Sequence, residues 1–325
     1  MGFGSLAALL LALSVLNLAI GSKFIAPATV IEAFLQPDAR SFDHRIVTTL
    51  RLVRLEAALM VGAALGIAGA LLQAIIRNPI AEPGILGLNA GAALLVVVAS
   101  TVTGGTIFNG WGRPWLAAAG ACVLFGLVMG LASAGRNGPT PLKVTLAGVA
   151  MTSFAGALTN AILILNENSL QMLRNWFAGH LAGKQPEDLL HALPVVVTGA
   201  VIAMAVAPSL NALALGDKAA AGLGVRVREV RLVGLVATAL LAGAAVAIAG
   251  PIGFIGLVVP HVVRRFAPAD MAAVMPLAAL GGAILLLAAD IIARTVLSPQ
   301  ELAVGIVTAA VGAPIFVYLV ARYFR

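Results

Sequence analysis

Charged and aromatic residues are scarce in this sequence. Asp, Glu, Lys and Arg make up 10% of the 325 residues and aromatic residues 5%, whereas hydrophobic residues reach 61%. The mean hydropathy of +1.05 lies far outside the usage of soluble globular domains. The low aromatic content and the absence of alternating apolar and polar positions argue against a transmembrane β-barrel. The composition therefore predicts an all-α integral membrane protein.

Cysteine and catalytic motifs are also missing. The single Cys122 has no partner for an internal disulfide, so cysteine usage does not indicate a redox compartment. Neither HExxH nor GxSxG occurs, and the four histidines are isolated in sequence. Gly183-Lys184-Gln185 lacks both the upstream glycine and the Ser or Thr of a phosphate-binding P-loop. The sequence therefore predicts no catalytic residue, no metal site and no ATP site, which argues against a membrane-embedded enzyme.

Long apolar runs are what the chain has instead. A helix needs roughly 20 mainly apolar residues to cross the hydrocarbon layer. Charge-free runs of this order predict about ten spans, near 5–21, 54–76, 84–102, 114–134, 142–165, 191–209, 231–249, 251–266, 272–292 and 303–321. The first run could instead be a secretory signal peptide, because small residues end it, but no basic residue precedes it.

The charges between the spans indicate an orientation. With the N-terminus inside, eleven Lys and Arg but only four acidic residues lie inside, against nine of each outside. The positive-inside rule therefore favours a cytoplasmic N-terminus. The basic residues lie at span ends rather than in one cluster, so the net charge of +7 indicates membrane anchoring rather than nucleic-acid binding. Polar stretches 22–53 and 166–190 then lie outside, and 210–230 lies inside as a short amphipathic helix.

Two glycine-rich blocks indicate an internal repeat. Gly62-Ala-Ala-Leu-Gly-Ile-Ala-Gly69 and Gly243-Ala-Ala-Val-Ala-Ile-Ala-Gly250 are each followed ten residues later by a proline. They lie five crossings apart and so run in opposite directions, which is the pattern of an inverted five-plus-five repeat. Coincidence in an Ala- and Gly-rich chain is the alternative.

Glycines inside the spans predict close helix packing. They recur at spacings of three and four in Gly62, Gly66 and Gly69, and again in Gly126 and Gly130. Three glycines and a proline also interrupt 250–256, which is either a helix break beside a pathway or a tight turn.

Charged residues at the span ends permit two interpretations. Arg51 and Arg54 share a helix face, and Arg294 follows Asp290 on the same predicted side. They form either a basic ring at an outer mouth or, as the residues alone favour, ordinary interfacial contacts. Every ionisable residue falls at a margin or in a loop, so no proton or sodium relay is predicted. The energy for transport must then come from elsewhere, or the pore is passive.

Six ordered motifs resemble the FecCD family of ABC importer permeases, over nearly the whole chain. They are Arg51-Leu-Val-Arg54; Gly69-Ala-Leu-Leu-Gln73 with Arg77-Asn-Pro-Ile-Ala-Glu-Pro-Gly-Ile-Leu-Gly87; Leu215-Gly-Asp-Lys-Ala-Ala-Ala-Gly-Leu-Gly224; Gly250-Pro-Ile-Gly-Phe-Ile-Gly-Leu-Val-Val-Pro-His261; Ala289-Asp-Ile-Ile-Ala-Arg294; and Glu301-Leu-Ala-Val-Gly305 with Gly312-Ala-Pro314. One departure is Val53, where the family usually has proline.

The resemblance implies the partners of the chain. A single permease domain, 1–325, would lie in the bacterial inner membrane as a homodimer or close heterodimer. It would work with two cytoplasmic ATPase subunits and a periplasmic binding protein. This chain would need no cofactor, because ATP and Mg would bind the ATPase.

The resemblance also implies site residues. Arg51, Arg54 and Arg294 would dock the binding protein by charge pairing. The segment 210–230 would couple to the ATPase through Leu215, Gly216, Asp217, Ala220, Leu223 and Gly224. Asn78, Ile80, Pro141 and Leu142 would form a cytoplasmic gate.

The implied function is import of a ferric siderophore or related metal chelate, with haem or cobalamin as alternative cargo. An ion-coupled secondary carrier is the rival class. A buried acid within a span, or uptake without ATP, would favour that rival.

Overall fold

The computed structural model describes residues 3–21, 23–38, 40–103, 111–134, 141–165, 176–267 and 269–323. Every regular element in these ranges is helical, which confirms the predicted all-α class. A π-helical turn, Ile46–Arg51, joins α3 to α4. The helices in chain order are α1 (Phe3–Ala19), α2 (Pro27–Leu35), α3 (Phe42–Arg45), α4 (Leu52–Ile76), α5 (Leu88–Val102), α6 (Gly112–Ser133), α7 (Pro141–Leu165), α8 (Pro186–Ala214), α9 (Asp217–Gly222), α10 (Val227–Ala249), α11 (Ile255–Arg264), α12 (Met271–Thr295) and α13 (Val304–Tyr323).

Each of the ten predicted spans corresponds to one helix. Among the described residues, seven helical stretches are long and apolar enough to cross a membrane, while α1, α5 and α11 are shorter apolar helices. The predicted boundaries differ most at α8, which begins five residues earlier and ends five residues later than predicted, whereas α5 and α11 begin four residues later. Proline and glycine explain the late starts, since Pro83 and Pro251 lie in the preceding segments and Gly87 adopts a left-handed φ of 87°.

Helix α4 is the centre of the molecule, and its glycines face other helices. A Cβ at Gly66 would lie 2.0 Å from the carbonyl oxygen of Ala278 in α12, and one at Gly69 would lie 2.0 Å from that of Gly256 in α11. The predicted close packing is confirmed there. It is wrong for Gly126 and Gly130 in α6, where an added Cβ would meet no atom of the described chain within 4 Å.

The helix contacts show the inverted repeat. In the first half α4 packs on α12, and its counterpart in the second half, α10, packs on α6. Likewise α5 packs on α6 and α7, and its counterpart α11 packs on α12 and α13. The two glycine-rich blocks occupy matching places, because Gly62 abuts Ala283 in α12 and Gly243 abuts Ala118 in α6. The first helix of each half differs, since α1 packs mainly on α12 and α8 mainly on α10. The repeat is therefore closest in α4–α7 and α10–α13.

The segment after α4 turns back into the fold. Pro83 lies 3.0 Å from a Cβ built on Gly256, and Gly256 packs against Gly69. Gly69 stands seven residues before the end of α4, which corresponds to about 10 Å along the helix axis. Residues 78–87 therefore run back beside α4 before α5 begins.

The segment after α10 does the same from the opposite side. Helix α10 runs against α4, with Gly234 beside Ile75. Ala249 lies fifteen residues further along, about 22 Å from Gly234. Gly256, at the start of α11, is nevertheless back beside Gly69. Residues 250–254 therefore re-enter the fold, which supports the helix break predicted for 250–256 over a tight turn. We call 78–87 and 250–254 the two re-entrant segments.

Candidate functional site

The three predicted docking arginines converge on the end of α1. Arg51 donates to the carbonyl oxygens of Leu18 and Ala19, at 2.6 and 2.8 Å. Arg294 donates to those of Asn17 and Ile20, at 3.2 and 3.0 Å. The last carbonyl groups of a helix have no intrahelical partner and carry partial negative charge. Arg51 and Arg294 therefore donate the hydrogen bonds that the last carbonyl groups of α1 lack within the helix.

The third arginine forms a buried ion-pair network. Arg54 Nε donates to Asp290 Oδ1 at 2.8 Å, and Arg54 Nη1 lies 2.7 Å from Glu301 Oε2. Arg294 Nη2 lies 2.9 Å from the other oxygen of Asp290, to which Asn17 also donates at 2.9 Å. The Asp290 carboxylate therefore links α1, α4 and α12 directly. Arg54 also connects them to the segment before α13 through its ion pair with Glu301.

Burial distinguishes this arrangement from a ring of free charges. Arg51, Arg54 and Arg294 are only 6%, 8% and 3% exposed, and Asp290 is fully buried. The structure brings the predicted docking residues together, and it turns their guanidinium groups towards partners in the same chain. We call Arg51, Arg54, Arg294, Asp290 and Asn17 the outer arginine cluster.

The predicted coupling segment contains the short helix α9 on the opposite side of the molecule. Gly216 and Gly224 flank it with positive φ values of 105° and 82°, which only glycine adopts easily. Ala220 is buried, whereas Leu215 and Leu223 are 69% and 66% exposed. The helix therefore packs through one alanine and presents a leucine at each end.

Asp217 attaches α9 to the two central helices of the repeat. Its Oδ1 lies 2.7 Å from Arg77 Nη2 at the end of α4 and 2.9 Å from Arg231 Nη2 in the first turns of α10. These side chains are between 32% and 44% exposed, so the contacts stabilise little but are directional. Movement of α9 is thereby connected to both α4 and α10.

Two of the four predicted gate residues share a cavity. Asn78 and Ile80 line a space of about 270 Å³, together with Glu82, Val144 and Phe316. Leu142 does not line it and is 69% exposed. The residues of α7 that line the cavity are Val144, Thr145 and Val149, and Leu142 lies one turn before Thr145 and two turns before Val149. Pro141 begins α7, and its side chain lies outside the described residues.

Glu82 is a site residue that sequence reasoning missed. Its Oε2 accepts from the backbone N–H of Ile85 at 3.0 Å, and its Oε1 accepts from that of Phe254 at 3.2 Å. It is 6% exposed and lines the same cavity as Asn78 and Ile80. Asn89 adds a second link, since its side-chain amide donates to the carbonyl oxygen of Ile252 at 3.2 Å. The sequence feature that could have indicated it is an acidic residue between Pro79 and Pro83, in a segment that these prolines keep from forming a regular helix.

A basic residue near the outer end of α8 has an unusual environment. Burial, and then the neighbouring Arg113, lower the pKa of Lys184 to about 8, although Asp188 acts in the opposite direction. Burial and the nearby Arg54 likewise lower the pKa of His180. Both Lys184 and His180 are therefore partly withdrawn from water.

Comparisons with known proteins agree with this geometry. The model of the FecCD transport family matches residues 9–322. The ferric enterobactin transport system permease protein FepD of Escherichia coli is 41% identical over 98% of this chain and 94% of its own. The Fe(3+)-citrate import system permease protein YfmD of Bacillus subtilis is 40% identical over 94% of this chain and 89% of its own.

A solved structure supports the same fold. It is described as an inward-facing conformation of a metal-chelate type ABC transporter, and it covers 98% of each chain with a TM-score of 0.81 and 28% identity. The family match spans both halves of the repeat, the re-entrant segments and α9. The chain therefore belongs to the FecCD transport family and is a multi-pass membrane protein.

Proposed function

We propose that the chain is the permease subunit of an ATP-driven importer that moves a ferric siderophore or related metal chelate across the bacterial inner membrane. Relatives named for ferric enterobactin and Fe(3+)-citrate support this cargo class. Relatives named for cobalamin and for hemin are 39% and 37% identical, so haem and cobalamin stay the alternative cargo. ATP and Mg would bind a separate ATPase chain, and this chain would supply the pathway.

The geometry of α9 is the observation that carries the proposal. Leu215 and Leu223 are exposed apolar side chains at the two ends of a helix that is fixed from behind by Asp217. Apolar side chains presented in this way suit a cleft in a partner protein. An ATPase that moved α9 would pull on the adjoining ends of α4 and α10. Those helices lead directly into the two re-entrant segments.

Residues 210–230 are thus proposed as the coupling segment and the two re-entrant segments as part of the gate. Asn78 and Ile80 lie on the first re-entrant segment, directly after the helix that Asp217 holds through Arg77. A shift of α4 would change the shape of the cavity that they line. ATP binding would bias this two-state arrangement rather than create a new one.

The opposite face is proposed to receive a periplasmic binding protein. The outer arginine cluster supports this role by holding α1, α4 and α12 in one fixed surface. Because Arg51, Arg54 and Arg294 already have partners, their contribution would be the shape and the local positive potential of that surface. A second copy of the chain would complete a central pathway.

The ion-coupled carrier remains the rival, because Glu82 is a buried acid beside the gate cavity. However, each of its oxygens accepts a hydrogen bond from a backbone N–H. A carboxylate held in this way joins two segments of backbone and is not left to bind an ion. The geometry therefore favours the ATP-driven importer.

Uptake by proteoliposomes tests the proposal. The permease, its ATPase and its binding protein are reconstituted, and entry of a radioactive ferric chelate is followed with ATP, without ATP, and with an imposed proton or sodium gradient. The Leu215→Asp, Leu223→Asp double variant should abolish ATP-driven uptake. The Arg265→Asp variant is the control, because Arg265 is exposed at the end of α11 and lies outside residues 210–230.

An ATP-driven importer and an ion-coupled carrier give different results in this assay. Uptake that needs ATP and is lost only in the α9 variant supports the importer. Uptake that follows the ion gradient without ATP supports the carrier and overturns the proposal.

A further inference from the structure

A large cavity lies beside α9, between the ends of α4, α6 and α7 and the start of α10. It measures about 910 Å³, near the upper end of the roughly 300–1,000 Å³ range of small-molecule sites. Arg77, Lys218, Arg228 and Arg231 line its rim, with Asp217 as the one acid among the lining residues. The cavity therefore has a strong excess of positive charge.

Two of these cations have no partner in the described part of the chain. Arg77 and Arg231 both pair with Asp217, at 2.7 and 2.9 Å. Lys218 and Arg228 are exposed, and no hydrogen bond or ion pair within the described residues involves them. Basic side chains that converge on one space without a counter-charge favour an anionic ligand.

Apart from Ser133, the rest of the described cavity wall is apolar. Phe125 and Met129 of α6, Ile75 of α4 and Leu235 of α10 belong to it. These residues lie within the candidate membrane spans. Of the basic residues, Arg77 and Lys218 lie outside the spans, and Arg228 and Arg231 lie in the first turns of the span that begins at Val227. The cavity therefore changes from cationic to apolar where the membrane surface meets the hydrocarbon layer.

We infer that this cavity binds an anionic phospholipid, with the phosphate at Lys218 and Arg228 and an acyl chain against the apolar wall. Charge complementarity supplies the headgroup contact, since basic residues at the inner surface of a membrane attract anionic lipids. A free phosphate would satisfy the rim but leave the apolar wall in contact with water. A lipid satisfies both parts.

The site has a consequence for α9. Lys218 follows Asp217 in the helix, so a bound headgroup would contact the same short element that joins α4 and α10. The lipid composition of the inner leaflet would then affect how firmly α9 is held. This inference depends on the membrane location of the chain and on no particular cargo.

Native mass spectrometry of the full-length chain tests the inference. The protein is released from nanodiscs that contain equal amounts of phosphatidylglycerol and phosphatidylcholine, and the lipids retained per protomer are counted. The wild-type chain should retain phosphatidylglycerol selectively. The Lys218→Gln, Arg228→Gln double variant should bind it roughly 30-fold more weakly, the effect expected for two basic residues at an anionic surface.

Two further variants separate the site from general charge effects. The Arg226→Gln, Arg265→Gln double variant removes two exposed cations from the same side outside the cavity, and its lipid retention should match the wild type. The charge-preserving Lys218→Arg, Arg228→Lys double variant should restore retention. A thermal midpoint near that of the wild type shows that each variant is folded.

Four results would overturn the inference. The first is equal retention of the two lipids, and the second is equal losses in the cavity and control variants. The third is displacement of the phospholipid by millimolar inorganic phosphate, which would identify a simple anion site. If adding the ATPase empties the cavity of lipid, the occupant in the importer is protein, and the lipid assignment also fails.

Discussion

Glu82 and Phe254, 172 positions apart in sequence, are joined by a hydrogen bond of 3.2 Å from the backbone N–H of Phe254 to Glu82 Oε1. Each residue belongs to one of the two re-entrant segments, so the bond connects the two halves of the repeat at their interruptions. Phe254 has a positive φ of 71°, which is unusual for a residue with a side chain. The acid therefore fixes a backbone turn that the local sequence does not favour.

Glu82→Gln should loosen this junction. Glutamine keeps one acceptor oxygen but turns its NH2 group towards the N–H of either Ile85 or Phe254, which leaves that donor without a partner. A buried unsatisfied donor costs roughly 1–3 kcal/mol. We expect a lower thermal midpoint in detergent and slower chelate uptake. Glu32→Gln, which changes an exposed glutamate of α2, is the control and should change neither.

Asp290→Asn should destabilise the protein more severely. The change leaves Arg54 and Arg294 buried beside a neutral amide, and removing one partner of a buried ion pair costs about 3–5 kcal/mol. Thermal unfolding should show a large fall in the midpoint. Asp38→Asn, at an exposed acid between α2 and α3, should leave the midpoint unchanged.

The same cluster tests how the binding protein docks. If the arginines act by shaping the outer surface, Arg54→Gln should reduce capture of the binding protein and thermal stability together. Reduced capture at an unchanged midpoint would instead show that Arg54 contacts the binding protein directly. Pull-down and thermal unfolding on the same purified sample separate the two results.

The sequence predicted the spans well and the destinations of the charges poorly. Uninterrupted apolar runs locate α4, α10 and α12, because helix length in a membrane depends on local composition. The partner of Arg54 could not be predicted, since Asp290 lies 236 positions away and the fold alone brings them together. The role of Glu82 could not be predicted either, because its partners are backbone N–H groups, which residues of almost any type supply.

The cavity lined by Asn78 and Ile80 shows a similar limit. Asn78 and Ile80 were predicted from resemblance and do share a cavity, but on α7 the cavity is lined by Val144 and Thr145 rather than by Leu142. Leu142 and Thr145 are three residues apart and share a helix face, but Leu142 lies one turn nearer the start of α7. The sequence carries no local signal that fixes how far along α7 the cavity extends.

Gly69→Ala should disrupt the contact between α4 and α11. The new Cβ would lie 2.0 Å from the carbonyl oxygen of Gly256, and neither backbone can move without displacing the re-entrant segments. Overpacking of this kind typically costs 1–3 kcal/mol or more. Size-exclusion chromatography of detergent extracts should show a smaller monodisperse peak.

Gly126→Ala is the matched control for that substitution. It makes the same change within a helix, but no atom of the described chain lies within 4 Å of the new Cβ. Alanine is the better helix former by about 1 kcal/mol, so this variant should be at least as stable as the wild type. Equal behaviour of the two variants would contradict the packing described for α4.

Lys184 should titrate far below an ordinary lysine. Its pKa of about 8 means that the amine loses its proton at a lower pH in the folded protein than in the unfolded chain. Below pH 8 the amine is charged in both states, so its burial opposes folding. That penalty should shrink as the pH rises from about 8 towards the ordinary lysine value near 10.4. NMR of the reductively methylated lysines, of which the chain has four, measures the pKa directly.

Two carboxylate variants test how the neighbouring acids affect the pKa of Lys184. Asp188 raises the pKa of Lys184, so Asp188→Asn should lower it below 8. Glu187→Gln removes the neighbouring exposed acid and should leave the value near 8. A pKa of Lys184 near 10 in the wild-type protein would contradict the burial described for this residue.

Asp217→Asn should separate coupling from stability. Both ion pairs of Asp217 are partly exposed, so their loss should cost below about 1 kcal/mol. The attachment of α9 to Arg77 and Arg231 would nevertheless be lost. We expect ATP hydrolysis to continue while chelate uptake in proteoliposomes falls several-fold. Glu229→Gln breaks an exposed pair with Arg226 near the same helix, so it should leave uptake unchanged. If the two variants transport equally well, Asp217 does not transmit the movement of α9.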